Sequence, residues 1–417
     1  MQQSYNNALY AQSGGVTAVI NASACGLIEA ARRHPEQIGR VYAGHHGIAG
    51  ILQERLIDLS DVDAADIHAL LHTPGGAFGS CRYPLKNEQA YVRLIEIFKA
   101  HRIGYFFYNG GGDSQDTAHK VFKMSQEMHY PLRCIGIPKT IDNDLPFTDH
   151  CPGFGSVAKY TAIATLEAGL DVQSMAQSST KVFILEVMGR NAGFIAAAAG
   201  LAATHPDQAP HLILFPERPF VLEAFCAEVQ RIVQKVGYCV VVSSEGIRNA
   251  EGAYVSAQNV CDAFGHAQLG GVAPYLAQAL KLALGLKCHW AVSDYLQRSA
   301  RHIASQTDVD QAYALGQKAL EWALEGQTGI MLTIVRTSHA PYRWEIGSVE
   351  LEHVANQEHL LPEHFIDASG FGITEACRQY LLPLIQGEAY PPYANGLPQY
   401  VRLKHRWVPK QCPEYAL

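Results

Sequence analysis

Ile135-Gly136-Ile137-Pro138-Lys139-Thr140-Ile141-Asp142-Asn143-Asp144-Leu145 is the stretch from which the fold of this chain is read. The apolar run reads as a buried strand that Pro138 stops, so a lysine and two aspartates emerge together at the strand's C-terminal end. In an open α/β sheet that end is where ligands gather. A lysine beside two carboxylates suits phosphoryl transfer: one carboxylate takes a hydroxyl proton, another holds a divalent cation, and the ammonium screens phosphate charge. The same residues would equally make a polar turn with Asx capping, so the chemistry has to be supported from the rest of the chain.

Working outward, short apolar runs alternate with amphipathic segments, the mark of an α/β fold with a largely parallel sheet. Strands are predicted at 8–12, 40–44, 105–109, 134–137, 182–187, 211–215 and 239–243. Helices are predicted near 17–33, 88–102, 114–128, 156–176, 193–203, 221–236 and 308–325, and two further β-like runs at 330–337 and 343–350. Ala90, Leu94, Ile97 and Phe98 recur on one side of their segment, a core-facing stripe. At 417 residues the chain exceeds one ordinary core and implies two lobes or more. The end of the chain, with Pro391-Pro392, Pro398, Pro409 and Pro413, reads as a tail wrapping a lobe.

Hydrophobic residues at 48% and charged residues at 17% fit a well-packed globular enzyme. A net charge of -7 with scattered basic residues argues against a nucleic-acid or anionic-membrane surface. Ten cysteines lie far apart with no CxxC pair or zinc spacing, and no signal peptide is read, so reduced thiols in a cytoplasmic protein are expected. No apolar stretch reaches the length of a membrane span.

Several segments repeat the strand-end theme. Gln12-Ser13-Gly14-Gly15 follows a strand and precedes a helix, where glycines let backbone amides approach phosphate. Asn109-Gly110-Gly111-Gly112-Asp113 does the same, and no GxxxxGK[ST] is present. Asp113 is the odd member. In an anion loop a carboxylate either bridges through a metal or excludes phosphate, and the competing reading is a helix N-cap. Gly153-Phe154-Gly155-Ser156-Val157-Ala158 matches GxGxxA but follows no strand, which argues against a dinucleotide site. Arg82 after a glycine turn, Lys181 at a strand start, Met188-Gly189-Arg190 and Glu245-Gly246 at strand ends, and Tyr295 with Arg298 complete the set.

Taken in order, these residues resemble the phosphofructokinase family over roughly the first three hundred residues. The family's glycine loop corresponds to Gly14-Gly15, its Thr-Ile-Asp-Asn-Asp segment to Thr140–Asp144, its Met-Gly-Arg to Met188–Arg190, its Glu-Gly to Glu245-Gly246, and its sugar-phosphate segment to Tyr295–Arg298. The resemblance implies two Rossmann-like three-layer lobes with mostly parallel sheets and an active site in the cleft. One lobe, 1–150 plus about 297–335, would bind the phosphoryl donor. The other, 151–296 plus about 336–417, would bind the sugar phosphate. Asp113 and Lys139 stand where ATP-dependent members carry glycines, as in the pyrophosphate-dependent branch.

The resemblance then implies phosphoryl transfer from pyrophosphate to fructose 6-phosphate, with Mg2+. Asp142 would be the base, Lys139 and Arg82 would stabilise charge, and Gly14 and Gly15 would hold pyrophosphate. Thr140, Asp142, Met188, Gly189, Arg190, Glu245, Tyr295 and Arg298 would bind the sugar, with Lys181 supplied by a second copy in a homodimer or homotetramer. The family's acidic metal position is Gly112 here, so ligation falls to Asp113, Asp144, water and substrate phosphates. Three rivals are an ATP-dependent phosphofructokinase, opposed by Asp113 with Lys139; a dinucleotide-dependent oxidoreductase, opposed by the missing GxGxxG; and an inactive regulatory subunit, opposed by intact Asp142 and Asp144.

Overall fold

Alternation along one strand shows why the apolar runs are continuous. In β1 (Asn7–Gln12), Leu9 and Ala11 enter one hydrophobic core and Ala8 and Tyr10 enter another. A strand buried on both faces has no polar side to show. The computed structural model describes residues 6–261, 267–354 and 357–417. β1 is the centre of a sheet with β2 (Val41–Gly44), β3 (Leu56–Asp58), β4 (Ile103–Gly110) and β5 (Arg133–Pro138). The helices Ile20–Arg32 and Gln306–Leu324 cover one face; Glu88–Ala100 and Gly112–Glu127 cover the other.

A second sheet holds β6 (Val182–Val187), β7 (Leu212–Leu214) and β8 (Cys239–Ser244). After the antiparallel pair β9 (Ala257–Cys261) and β10 (Ala267–Leu269), β11 (Cys288–Val292) joins it. This four-stranded sheet, ordered β11-β6-β8-β7, is parallel throughout. Helix Leu222–Val236 stops at Gly237 and is followed at once by β8, a short αβ connection of the kind parallel sheets use.

The chain then returns to the first sheet. β12 (Ile330–His339) pairs parallel with β5, and β13 (Tyr342–Glu350) pairs antiparallel with β12, giving the seven-stranded order β13-β12-β5-β4-β1-β2-β3. The expected passage to the second lobe near residue 335 therefore falls inside β12. Leu332 and Ile334 are buried in the first lobe's core, and the hairpin carries the sheet on to Glu350. The assignment of 336–417 to the second lobe also divides. Leu361, Phe365, Cys377, Tyr380 and Leu384 pack into the second core, whereas Val401, Leu403, Val408 and Cys412 pack back on the first.

The proline-punctuated tail runs along β3, where Asp58 N–H donates to the Arg406 carbonyl (2.8 Å) and Val408 N–H to the Leu56 carbonyl (2.9 Å). An edge strand covered in this way offers no template for another chain. The described cysteines are free thiols, most of them buried. Among the described residues no helix is long and apolar enough to cross a membrane.

Candidate active site

Lys139 is the first residue beyond β5. Its N–H donates to the Gly110 carbonyl (3.2 Å) and its Nζ to the Gly15 carbonyl (2.6 Å), so the ammonium is buried beneath the first glycine turn. Gly15 lies close under two guanidinium tips. A Cβ there would stand 2.7 Å from an Arg298 guanidinium nitrogen, with Arg82 at 3.7 Å. Arg82, Lys139 and Arg298 thus converge on Gly14-Gly15. Burial, and next the charge of Arg82, lower the Lys139 pKa to about 8 against the opposing pull of Asp144. Such a concentration of cations around open backbone calls for a multiply charged anion.

Beyond β4 the helix Gly112–Glu127 begins, with Gly111 in the N-cap position. Asp113 is therefore not the N-cap; it lies in the first turn, exposed on the cleft wall. Gln115 instead satisfies the neighbouring strand ends, donating to the carbonyls of Gly110 (2.8 Å) and Ile137 (3.2 Å).

The loop after Lys139 turns sharply. Thr140 forms a bridge with Gly153, the Asp142 N–H donates to Thr140 Oγ1 (3.1 Å), and Asn143 adopts a left-handed φ of 61°. Asp142 Oδ1 and Asp144 Oδ1 are both buried without a hydrogen-bond partner among the described residues. Burial raises both carboxyls above the ordinary range, and the charge of Asp144 lifts Asp142 further. Orphaned buried carboxylate oxygens are rare in native proteins and mark where a ligand belongs.

The second lobe closes the cleft. Met188, Gly189 and Arg190 follow β6, and Glu245 and Gly246 follow β8. A Cβ on Gly246 would fall 1.9 Å from the Arg190 carbonyl oxygen, so these two strand ends interlock only with glycine there. Glu245 is pushed up to about 7 by burial and by Glu186, against the pull of Arg190. On the helix Asp294–Ser299 the Arg298 guanidinium lies 3.7 Å from the Tyr295 ring centre, a cation–π stack. Gln297, buried between them, accepts from the Met188 N–H (3.3 Å) and donates to the Asp294 carbonyl (3.1 Å), tying that helix to the β6 end.

One cavity of about 700 Å³ runs from Gly14, Gly15 and Asp113 past Asp142 to Arg190, Glu245 and Tyr295. That volume suits a small polar ligand pair. Thr140, Asp144, Met188 and Arg298 line it as well. Lys181 does not. It sits at the opposite end of β6, where its Nζ donates to the carbonyls of Ala176 and Gln177 at the end of the helix Phe154–Met175.

Sequence reading missed residues on the C-terminal side. Asn191 donates to both Glu358 carboxylate oxygens (2.8 and 2.9 Å), and the His359 N–H donates to the Asp144 carbonyl (2.7 Å). Gln357 and Glu358 line the cavity. They lie in an irregular polar segment with no periodicity or motif, so nothing in the sequence marks them.

The GxGxxA pattern has a structural explanation. Gly153 and Ser156 at the start of the helix Phe154–Met175 donate backbone N–H groups to the buried Asp308 carboxylate (2.9 and 2.8 Å), and the Ser156 hydroxyl adds 2.6 Å. An internal carboxylate already fills the place a cofactor phosphate would take.

Open space flanks Gly112 at the start of the helix Gly112–Glu127. A Cβ on Gly112 would meet nothing nearer than Leu145 Cδ2 at 4.0 Å, and Asp113 and Asp144, with its unpartnered oxygen, line the same cavity. Among the described residues the triads of converging ligand atoms lie elsewhere, at Cys25, Glu29 and His68 and at Glu350, Glu352 and His353. The cleft therefore offers a sparse carboxylate set, which fits an ion that keeps waters and takes ligands from substrate phosphates.

The sequence profile described as Phosphofructokinase matches residues 7–323, well over half of the chain. The chain belongs to the phosphofructokinase family. A pyrophosphate–fructose 6-phosphate 1-phosphotransferase of Methylococcus capsulatus is 60% identical over 409 residues, 97% of each chain. One of Halomonas elongata is 59% identical over 416 residues, 99% of each. The crystal structure of a pyrophosphate-dependent phosphofructokinase from Marinobacter aquaeolei superposes with a TM-score of 0.92 at 59% identity, covering 99% of this chain and all (100%) of that one. Phosphofructokinase membership accounts for the two α/β lobes and for the clustering of the strand-end motifs around one cleft.

Proposed function

We propose that this chain transfers a phosphoryl group reversibly from pyrophosphate to the 1-hydroxyl of fructose 6-phosphate, giving fructose 1,6-bisphosphate and phosphate. The observation that carries this reading is Lys139, buried with its Nζ on the Gly15 carbonyl between the glycine turn and the aspartate pair. The names of relatives at about 60% identity support the same donor and acceptor. A coupled assay comparing pyrophosphate with ATP tests it; equal or better turnover with ATP would overturn it.

In this reading the first lobe, with the tail from about 392, receives pyrophosphate, and the second receives the sugar phosphate. Gly14 and Gly15 present backbone to pyrophosphate while Arg82 and Lys139 screen its charge. Asp142, with a raised pKa, takes the 1-hydroxyl proton as that oxygen attacks in line. Thr140, Met188, Gly189, Arg190, Glu245, Tyr295 and Arg298 orient the sugar phosphate. Asp113 and Asp144 would hold Mg2+, which when bound neutralises oxygens of the transferring group. Asp113 also puts a carboxylate where the longer ATP chain would run. Donor and product transfer potentials are similar, so the reaction runs both ways in sugar catabolism and synthesis, and a cytoplasmic setting follows from those substrates.

The pH profile checks the pair. For kcat/KM with pyrophosphate we expect a bell. Its acid limb, from Asp142, lies above the ordinary carboxylate range because burial and Asp144 raise that group. Its alkaline limb, from Lys139, lies near 8, since the ammonium loses its charge as pH rises through that value. Lys139→Met should abolish the alkaline limb; a limb that persists unmoved assigns it to another group.

Lys181 has its role across a subunit boundary. The two elements that adjoin it carry exposed apolar groups, Leu170 and Met175 on the helix whose end it caps and Trp290 and Val292 on the edge strand β11. A second copy covering them would bring Lys181 to the neighbour's sugar phosphate, so a homodimer or homotetramer is expected. Mixing inactive Lys181→Ala with inactive Asp142→Asn subunits should restore about a quarter of parental activity, because about half of random dimers carry one complete site. No recovery in verified mixed oligomers would confine Lys181 to its own subunit.

A further inference from the structure

The aspartates of the cleft are separated by a residue that has no role in the chemistry above. Asn143 holds a left-handed backbone, φ 61°, which asparagine tolerates better than most side-chain-bearing residues. Its side chain is hydrogen-bonded at both ends and only 1% exposed. Oδ1 accepts the Cys151 N–H (2.9 Å), and because that partner is an obligate donor, the amide nitrogen must point the other way. There Nδ2 donates to the Tyr380 hydroxyl (2.8 Å), which in turn donates to the Asp149 carbonyl (2.7 Å).

Tyr380 is itself held at three points. Its hydroxyl is fixed as described, its carbonyl accepts from Arg336 (3.0 Å), and its ring lies 4.8 Å beneath the same guanidinium. Arg336 in turn forks onto both Asp149 carboxylate oxygens (3.0 Å each) and is flanked on another side by the Tyr342 ring at 4.9 Å. A planar guanidinium clamped by a carboxylate and two rings has almost no freedom. The post on which Asn143 rests is therefore rigid, and all of it apart from Asp149 comes from residues after β12 begins, in the part of the chain that carries no legible motif.

We infer that Tyr380 is a positioning residue for the phosphoryl-transfer site, fixing the angle between the Asp142 and Asp144 carboxylates through its hydrogen bond to Asn143. The inference rests on the pyrophosphate-dependent reading of the site. Asp142 Oδ1 and Asp144 Oδ1 have no partner among the described residues, the Thr140 hydroxyl bonds the Asp144 carboxyl, and the turn that Asn143 anchors sets how the two carboxylates diverge. Productive geometry tolerates little error, and a displacement on the order of an ångström can cost about a hundredfold in rate.

The test is a double-mutant cycle on Tyr380→Phe and Asn143→Gly, measured with pyrophosphate and fructose 6-phosphate after the parent's activity is established. Phenylalanine keeps the ring stack and removes one hydroxyl; glycine keeps the left-handed turn and removes the amide. Tyr380→Phe is expected to lower kcat about tenfold with both KM values within about twofold, because aim and not affinity is lost. In the Asn143→Gly background the same change should have no further effect on kcat. Turnover of Tyr380→Phe within twofold of the parent overturns the inference. So does a full additional drop in the double variant, which would mean Tyr380 acts by another route. A parent inactive with pyrophosphate overturns the functional reading instead. Melting temperatures recorded alongside separate a loss of fold from a loss of aim: an unfolded variant loses active sites without moving the Asn143 coupling.

Discussion

Asp142→Asn lowers turnover with pyrophosphate on the order of a hundredfold or more, while the KM for fructose 6-phosphate stays within a few-fold. The substitution is nearly isosteric and removes only the ability to accept a proton. Asparagine is also neutral, and Asp142 shares its surroundings with Asp144 and Glu245, whose charges raise its pKa. Relief of that repulsion should leave the fold as stable as before or more so. Lost turnover with an unchanged or higher melting temperature is therefore the expected pair of results, read by steady-state kinetics and thermal unfolding. Turnover within a few-fold of the parent would move the base to another residue, with Asp144 the nearest alternative.

The second large effect concerns the donor. Lys139→Gly should lose pyrophosphate activity by about two to four orders of magnitude, because a preorganised charge aimed at the transferring group contributes a few kcal/mol. Most of that should fall on kcat, since Arg82 and the Gly14-Gly15 backbone remain to hold the anion. Asp113→Gly should act oppositely and more mildly. Asp113 makes no N-cap, so the helix Gly112–Glu127 loses only a favourable first-turn charge, while a longer phosphate chain gains room and loses repulsion. ATP turnover should then become detectable, and the double variant should shift preference furthest. Donor titrations of the three variants decide the matter. If Asp113→Gly keeps its pyrophosphate activity and stays blind to ATP, Asp113 does not select the donor.

The α/β class and the strand-end motifs were legible because each is local. An apolar run, a stopping proline and a charged residue lie within a few positions, as at Ile135–Lys139, and the glycine turns announce themselves. What escaped is what depends on distant pairing. β11, Cys288–Val292, is an apolar run of only five residues, too short to tell from a piece of helix, and is not among the predicted strands. β12 reads as a strand but nothing local says that it lies beside β5, and the lobe boundary drawn near 335 cut through it. Tyr380, Glu358 and the buried Gln297 owe their places to partners far off in the chain, and a lone Tyr, Glu or Gln has no spacing to betray it. Lys181 shows the converse. Its family position was readable, yet within its own chain it caps a helix at the far end of β6.

The insertion of β12 has a consequence for how the molecule is made. β5 ends in the catalytic loop, and until Ile330 arrives its outer edge has no neighbour; the Cys134 N–H finds its acceptor, Thr328 Oγ1, 194 residues further along the chain. During synthesis the whole second sheet leaves the ribosome before the first can be completed. A nascent or truncated N-terminal half therefore displays a bare, apolar parallel strand, the kind of surface that invites aggregation and chaperone capture. The aspartate loop hangs from that unfinished strand. The sheet that carries this loop is thus completed only when about the last fifth of the chain is translated, and a fragment ending before Ile330 is expected to show no turnover with pyrophosphate.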